Sequence, residues 1–313
     1  MRVALMVEGQ EDVTWEDWLA LARTCEACGI EALFRSDHYR SLFGRPERGA
    51  LDAWGTICAL AASTTDLRLG TMVSPASFRH PSVLAKLVTT ADHVSGGRVE
   101  LGMGTGWNED EHRAYGFPFR SMRERMDVLE EQLAVVHDGH WGQEPLTRDG
   151  AHYAVEALDA RPRPVQSPHP PLIMGGEAGP RAARLAARYA DEYNTVSPTL
   201  EQVAERRARI AAACEAAGRA PIPFSVMTTA VIGADDAELR RRADELAEYA
   251  ERPLDLASEE VRDTWITGTV DQVVARLRTL EEAGVERVYL QHLVHRDLGM
   301  VELIGRELVP AVA

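Results

Sequence analysis

The segment of residues 98–117 contains the residues most suggestive of chemistry. An apolar, strand-like run over residues 99–103 leads past Gly102, Gly104 and Gly106 into a polar stretch. Glycines remove side chains from the end of a strand, so a flat ring could lie against the main chain there. The Gly-x-Gly-x-Gly spacing is not the Gly-x-Gly-x-x-Gly of a dinucleotide-binding fold, and no long helix opens directly after it. The pattern favours a cofactor floor of another kind, and a glycine-rich turn without a ligand is the alternative.

A carboxylate and an imidazole follow the apolar run Ala32–Arg35, at Asp37 and His38. Side chains alternate along a strand, so only one of the two can point straight into a site at its end. A carboxylate can orient a heterocycle, and an imidazole exchanges a proton near neutral pH. The pair is a candidate for proton transfer. An Asp that caps the following loop beside a solvated His is the alternative.

A third candidate site follows the apolar run of residues 171–174. Gly175 and Gly176 allow close approach of the backbone, Gly179 precedes a proline at a predicted helix start, and Arg181 lies in the first helical turn. A cation there is unfavourable by about 0.3 to 1 kcal/mol unless an anion offsets it. The turn is therefore predicted to bind a phosphate, with a ligand-free strand-to-helix turn as the alternative.

Eight apolar runs alternate with helical patterns along the chain. The candidate residues described above follow three of these runs, so the predicted strands determine their positions. The predicted strands are Val3–Val7, Ala32–Arg35, Leu67–Val73, Val99–Met103, Pro171–Met174, Glu192–Val196, Phe224–Ile232 and Arg287–Gln291. Eight strand–helix repeats in a chain of 313 residues predict an α/β fold, the parallel (β/α)8 TIM barrel, as one domain over residues 1–313. An open doubly wound sheet is the alternative and would need fewer strands.

Helix starts and two long connections complete this prediction. Capping boxes are predicted at Thr14 and Asp17, Ser121 and Glu124, Thr199 and Gln202, and Thr269 and Gln272. The segments 140–170 and 251–268 are long for connections in a compact domain and are predicted to be partial lids, as loop insertions at the C-terminal face of the barrel.

Composition excludes several classes of protein. The net charge of −15 argues against nucleic acid or an anionic membrane as the main partner. No apolar run approaches the length that spans a membrane, and we expect a cytoplasmic protein. Cys25 and Cys28 lie near the end of a helical pattern without a second Cys or His pair at a suitable spacing. They are expected to be buried structural thiols, and no metal site is predicted.

Several segments together resemble the bacterial luciferase-like monooxygenase family, in order along nearly the whole chain. They are Ser-Asp-His-Tyr at 36–39, Arg-His-Pro at 79–81, the glycine-rich run at 95–109, Glu-His-Arg-Ala-Tyr-Gly-Phe at 111–117, Gly-Gly-Glu-Ala-Gly-Pro-Arg at 175–181 and the region from Gly268 to Val273. The resemblance implies a (β/α)8 barrel that binds FMN or the 5-deazaflavin coenzyme F420 at the carboxyl ends of its strands.

The resemblance also implies roles for individual residues. Asp37 and His38 are similar to a pair in the F420-dependent oxidoreductase branch, where the Asp contacts the deazaflavin and the His lies by the reacting ring. A non-prolyl cis peptide against the ring is expected at Thr71–Met72. The remaining expected cofactor contacts are Thr105, Gly106 and Asn108 at the ring and Gly175, Gly176, Gly179 and Arg181 at the phosphate.

The resemblance leaves three functions open. The first is an F420-dependent oxidoreductase in which His38 handles the proton. The second is an FMN-dependent monooxygenase supplied by a separate flavin reductase, and the third is a barrel that binds flavin or an acidic ligand without turnover. The expected partner is a small-molecule substrate, and a homodimer stays open. The loops around Leu42–Arg48, 140–170 and 251–268 match no substrate motif.

Overall fold

The computed structural model describes residues 1–313. Its strands are β1 (Arg2–Val7), β2 (Ala32–Arg35), β3 (Arg68–Thr71), β4 (Ser74–Pro75), β5 (Val99–Gly104), β6 (Leu146–Asp149), β7 (Ala154–Leu158), β8 (Leu172–Gly175), β9 (Glu192–Val196), β10 (Phe224–Gly233), β11 (Ile266–Thr269) and β12 (Arg287–Gln291). Eight of them, β1, β2, β3, β5, β8, β9, β10 and β12, pair in parallel, and the β9–β10 pairing closes the ring. The predicted (β/α)8 barrel is confirmed.

Helices cover the outside of this barrel. They are α1 (Trp15–Cys28), α2 (Ala53–Ser63), α3 (Pro81–Ser95), α4 (Glu109–Tyr115), α5 (Met122–Leu133), α6 (Pro180–Tyr189), α7 (Leu200–Ala216), α8 (Asp236–Ala250), α9 (Glu259–Thr264), α10 (Val270–Glu282), α11 (Leu298–Leu303) and α12 (Val309–Val312), with π-helical segments at Ala134–His140 and Ile304–Leu308. The four predicted capping boxes all form, at the starts of α1, α5, α7 and α10. No helix combines the length and the apolar character that crossing a bilayer requires.

The interior of the barrel is filled at its N-terminal end. Arg287 is buried at the start of β12, and its guanidinium lies 2.8 Å from Glu100 and 3.5 Å from Glu192. Above this ion-pair cluster, the rings of Phe34 and Tyr289 pack edge to face with centroids 4.9 Å apart. Because these side chains close the lower half of the barrel, a ligand can enter only at the carboxyl ends of the strands, which we call the mouth.

The segment 140–170 is not a lid, and that prediction was wrong. It contains the β6–β7 hairpin and ends beside the N-terminal ends of the barrel strands, where Gln166 donates to the carbonyl of Val99 (2.8 Å) and accepts from Arg68 (3.3 Å). Val99 and Arg68 are the first residues of β5 and β3. A connection that runs from a helix into the next strand of such a barrel lies at the end opposite the mouth, because the preceding helix has already returned there.

The segment 251–268, in contrast, lies at the mouth. Arg45 in the loop after β2 forms an ion pair with Glu251, and Thr228 donates to the carbonyl of Thr264 at 2.6 Å. Arg48 of the same loop donates to the carbonyl of Tyr249 at 2.8 Å. The loop after β2 and the C-terminal end of α8 therefore meet over one side of the mouth.

Candidate active site

His38 follows β2 and reaches the mouth. Its side chain is 12% exposed, and its Nε2 atom has no hydrogen-bond partner in the protein. The ring of Trp107 packs edge-on against the imidazole, with centroids 5.7 Å apart and planes at 75°. Trp107 is itself 63% exposed, so most of its indole is free to contact a ligand. His38 therefore has an accessible nitrogen beside an exposed aromatic surface.

Glu111 holds the other side of the His38 ring. The Nδ1 atom of His38 lies 2.7 Å from Oε2 of Glu111, whose side chain is fully buried. Burial opposes protonation of His38, but the hydrogen bond to Glu111 and the charges of Glu111, Glu8 and Asp37 outweigh it and raise the pKa of His38. Protonation of this imidazole is thus more favourable than protonation of a free histidine side chain.

Asp37 points away from the mouth. Its carboxylate accepts two hydrogen bonds from Arg79, at 2.6 and 3.1 Å, and a third from Ser74 at 2.7 Å. The side chain has no exposed surface. The two side chains therefore point to opposite sides, as alternation predicts, and the partners of the Asp37 carboxylate all come from the protein itself, which does not support the expected contact with a cofactor ring.

The space left by the glycines of β5 is filled by Val73. A Cβ atom on Gly102 or Gly104 would lie 2.9 or 2.8 Å from a methyl of Val73, and one on Gly175 would lie 3.2 Å from it. The sequence interpretation of Gly102 and Gly104 as a bare floor for a ring was wrong in this respect. These glycines form a notch, which we define as the space at Gly102, Gly104 and Gly175 that the Val73 side chain occupies.

The cis peptide after β3 lies at a different position from the expected one. The non-prolyl cis peptide is Met72–Val73, one residue later than expected. Thr71 is buried, and its hydroxyl donates to the carbonyl of Gly102 at 3.2 Å. Met72 packs in the barrel interior with Phe34 and its neighbours. The side chains of Thr71 and Met72 are therefore both buried in the protein, which does not support the expected ring contact from either side chain.

Thr105, Gly106 and Asn108 are all partly exposed beyond β5. Asn108 is the N-cap of α4, and its side chain accepts from the backbone N–H of Glu111 at 3.1 Å. Arg125 donates to the carbonyl of Gly106, stacks on Phe119 at 4.4 Å and forms no ion pair with a carboxylate. This turn therefore brings an unpaired guanidinium next to the predicted ring-contacting residues.

The predicted phosphate turn is open, but Arg181 does not face it. Arg181 forms ion pairs at 2.6 Å with both Asp127 and Glu130 of α5. The sequence argument required an anion to offset this cation, and the two carboxylates supply it. At Gly179, the N-cap of α6, no side chain caps the helix and an added Cβ would meet no atom within 4 Å. Uncapped N–H groups at an accessible helix start suit a phosphate without Arg181.

Glu8, which directly follows β1, is a buried carboxylate at the mouth. Glu8 accepts hydrogen bonds from the amides of Gln10, at 2.7 Å, and Gln291. Gln10 in turn accepts from Ser36 at 2.5 Å, and Gln291 accepts from Thr229 at 2.7 Å. No basic side chain pairs with Glu8, so its charge acts on His38 rather than on an arginine.

Sequence reasoning missed four of these residues: Glu8, Arg79, Glu111 and Arg125. A signal existed for Glu111, because Asn108-x-x-Glu111 has the spacing of a capping box. In such a box the glutamate would turn back to the backbone of the N-cap residue, whereas here it reaches His38. The Arg-His-Pro segment at 79–81 contributed to the family resemblance without indicating a role for Arg79, and no local pattern pointed to Glu8 or Arg125.

A family model described as luciferase-like monooxygenase matches residues 2–287. The F420-dependent hydroxymycolic acid dehydrogenase of Mycobacterium tuberculosis is 28% identical over 300 residues, covering 94% of this chain and 76% of that protein. The FMNH2-dependent dimethylsulfone monooxygenase of Pseudomonas putida is 28% identical over 287 residues, covering 81% of this chain and 76% of that protein.

The fold has relatives among solved structures. The coenzyme F420-dependent tetrahydromethanopterin reductase of Methanopyrus kandleri superimposes with a TM-score of 0.82 over 100% of both chains, at 20% identity. That similarity concerns the fold. The curated relatives divide between F420 and FMN, so the comparisons support a flavin-type cofactor without choosing one.

Proposed function

The chain belongs to the luciferase-like monooxygenase family, and on that premise we propose that it is an F420-dependent oxidoreductase that transfers a hydride between C5 of the deazaflavin and a small organic substrate. Bound F420 would supply hydride exchange at C5 and react poorly with oxygen, which leaves a separate proton for the protein to move. The one observation that carries the proposal is the free Nε2 of His38 at the mouth, because it can handle that proton.

The residues around the mouth fit a flat ring with a phosphate-bearing chain. Trp107 and the turn at Thr105, Gly106 and Asn108 would contact the ring from the side of β5, and Val73 would form the surface behind it. We assign no ring contact to the side chains of Asp37, Thr71 or Met72. Asp37 instead acts indirectly, because its pairing with Arg79 fixes the backbone from which His38 extends.

The phosphate would bind at the start of α6, at Gly175, Gly176 and Gly179, with Arg125 as its cation. Arg181 donates to the carbonyl of Arg123 at 3.4 Å, so the first turns of α5 and α6 lie side by side. Arg125 lies in that same turn of α5 and has no carboxylate partner. The Arg125 guanidinium contacts the carbonyls of Gly106 and Arg120 and the ring of Phe119, and no carboxylate offsets its charge, so it is available as a cation for a phosphate held by the uncapped N–H groups of α6.

The second candidate is an FMN-dependent monooxygenase that receives reduced FMN from a separate reductase. It is supported by the similarity to the Pseudomonas putida enzyme over 81% of this chain. The same turn, aromatic side chain and helix start would accommodate FMN, since both cofactors combine a tricyclic ring with a phosphate.

Fluorescence titration of the purified protein with F420 and with FMN, each in oxidised and reduced form under anaerobic conditions, tests the choice. We expect micromolar affinity for F420 and at least tenfold weaker binding of FMN. Micromolar binding of reduced FMN without binding of F420 would favour the monooxygenase. Binding of neither would contradict both candidates.

A further inference from the structure

We propose that Glu111 is the positioning residue for His38: it holds the proton on Nδ1 and leaves Nε2 as the atom that exchanges a proton with the substrate. The proposal rests on the proposed function for its role in turnover. The arrangement of the two side chains can be tested without cofactor or substrate.

The Glu111 carboxylate is fixed by backbone contacts as well as by His38. Its Oε1 atom accepts from the backbone N–H groups of Tyr39 at 2.5 Å and Arg40 at 3.2 Å, and its Oε2 atom lies 2.7 Å from Nδ1 of His38. The backbone N–H of Glu111 is itself held by Asn108 at 3.1 Å. One carboxylate thus joins α4 to the loop after β2 and orients the imidazole between them.

The chemistry of the pair determines the tautomer. A carboxylate can only accept hydrogen bonds, and the other oxygen of Glu111 already accepts from two backbone N–H groups. Nδ1 of His38 must therefore carry the proton of their shared hydrogen bond. In the neutral ring Nε2 is then the basic atom, and in the imidazolium Nε2–H is the donor that faces the mouth.

Other charges near His38 do not favour either nitrogen by a hydrogen bond. Glu8, directly after β1, acts through its charge, Asp37 is paired with Arg79, and Trp107 packs against the imidazole with the two ring planes at 75°. Glu111 is the only carboxylate within hydrogen-bond distance of the imidazole. Removing its charge should therefore change both the tautomer and the titration of His38.

The experiment uses the cofactor-free full chain labelled with [15N]histidine. Imidazole 15N shifts report which nitrogen carries the proton, and the His38 signal is assigned from its loss in His38→Asn. We expect the neutral wild-type ring to be protonated on Nδ1. In Glu111→Gln, which keeps an acceptor for the Tyr39 N–H, we expect a lower titration midpoint and a population protonated on Nε2.

Glu109→Gln is the matched control, because Glu109 lies two residues earlier on α4 and pairs on the surface with Arg113 at 2.8 Å. It should leave the His38 titration unchanged. An unchanged titration in Glu111→Gln would overturn the proposal. Should Glu111→Gln not fold, the wild-type spectrum decides alone, since a neutral His38 protonated on Nε2 would also overturn it. Neither result depends on which cofactor binds.

Discussion

The carboxylate of Asp37 and the guanidinium of Arg79 form a bidentate ion pair beneath the mouth, with oxygen–nitrogen distances of 2.6 and 3.1 Å. Arg79 also contacts Asp52 at 2.5 Å and the hydroxyl of Tyr39 at 3.0 Å. Ion pairs and hydrogen bonds together therefore hold this corner of the barrel. Asp37 is adjacent in sequence to the proposed proton carrier, and we propose that this ion pair helps to place it.

Asp37→Asn should destabilise the protein by about 3 kcal/mol, because it leaves the guanidinium in a buried setting with only one acidic partner. Denaturant unfolding measures this loss. Asp52→Asn is the control, and since Asp52 is 45% exposed it should cost about 1 kcal/mol or less. If the Asp37→Asn protein were folded and stable but bound F420 more than tenfold more weakly, the result would support a direct contact between Asp37 and the cofactor ring.

Arg125→Ala should weaken binding of F420 or FMN by about tenfold, the order expected for losing a charged hydrogen bond to phosphate. Riboflavin, which lacks the phosphate, should bind equally well to variant and wild type. Arg181→Ala is the matched control: its partners Asp127 and Glu130 are partly exposed, so cofactor affinity should change less than twofold. If Arg181→Ala weakened cofactor binding more than Arg125→Ala did, Arg181 would be the cation that binds the phosphate.

Gly104→Ala should destabilise the protein by about 1 to 3 kcal/mol, because the added Cβ would lie 2.8 Å from a Val73 methyl. Val73→Ala removes that methyl, so the double variant should recover part of the loss in a double-mutant cycle. At Gly102 the added Cβ would lie 2.0 Å from the carbonyl oxygen of Thr71, which no side-chain change relieves. If Val73→Ala recovered as much stability in the Gly102→Ala protein as in the Gly104→Ala protein, the interpretation of Gly104 as a notch for Val73 would be contradicted.

Local periodicity was enough to predict the barrel but not the contacts of its site. Strands β2, β9 and β12 have the predicted bounds, because alternating apolar runs and capping boxes are local signals. The pairs Asp37–Arg79 and His38–Glu111 join residues 42 and 73 positions apart, and they meet only because the barrel closes. Arg181 shows the same limit: its two anions lie on the preceding helix.

The prediction that segment 140–170 forms a lid was wrong for a different reason. Segment 140–170 follows a helix and precedes a strand, and that order puts it at the N-terminal end of the barrel. The connections from strand to helix, such as the loop after β2, are the ones at the mouth. Applying this rule to the sequence would have corrected the prediction without a structure, whereas the Val73 notch required one.

His140→Leu should make the protein less sensitive to acid. Burial lowers the pKa of His140 from 6.5 to about 4, and its Nε2 has no hydrogen-bond partner. Between those pH values the unfolded chain binds more protons, so the free energy of unfolding falls as pH falls. The variant should reduce the stability difference between pH 7 and pH 4.5 by about 2 kcal/mol. The exposed His93→Asn is the control, and an identical pH dependence in all three proteins would contradict the assignment.

His38→Asn should leave F420 bound but lower turnover by about 10² to 10⁴, the usual contribution of a positioned acid or base. Since the pKa of His38 is raised by Glu111, the wild-type rate profile should show a limb centred above pH 6.5 that the variant lacks. Protonation of His38 is favoured in the folded state, so this residue stabilises the protein at low pH and loses that contribution as pH rises through its pKa. Melting temperature and turnover, measured on one preparation, distinguish a structural role from a catalytic one. If His38 were purely structural, the substitution would lower the melting temperature and leave the turnover of the folded protein unchanged. Full turnover in folded His38→Asn protein would end the catalytic assignment.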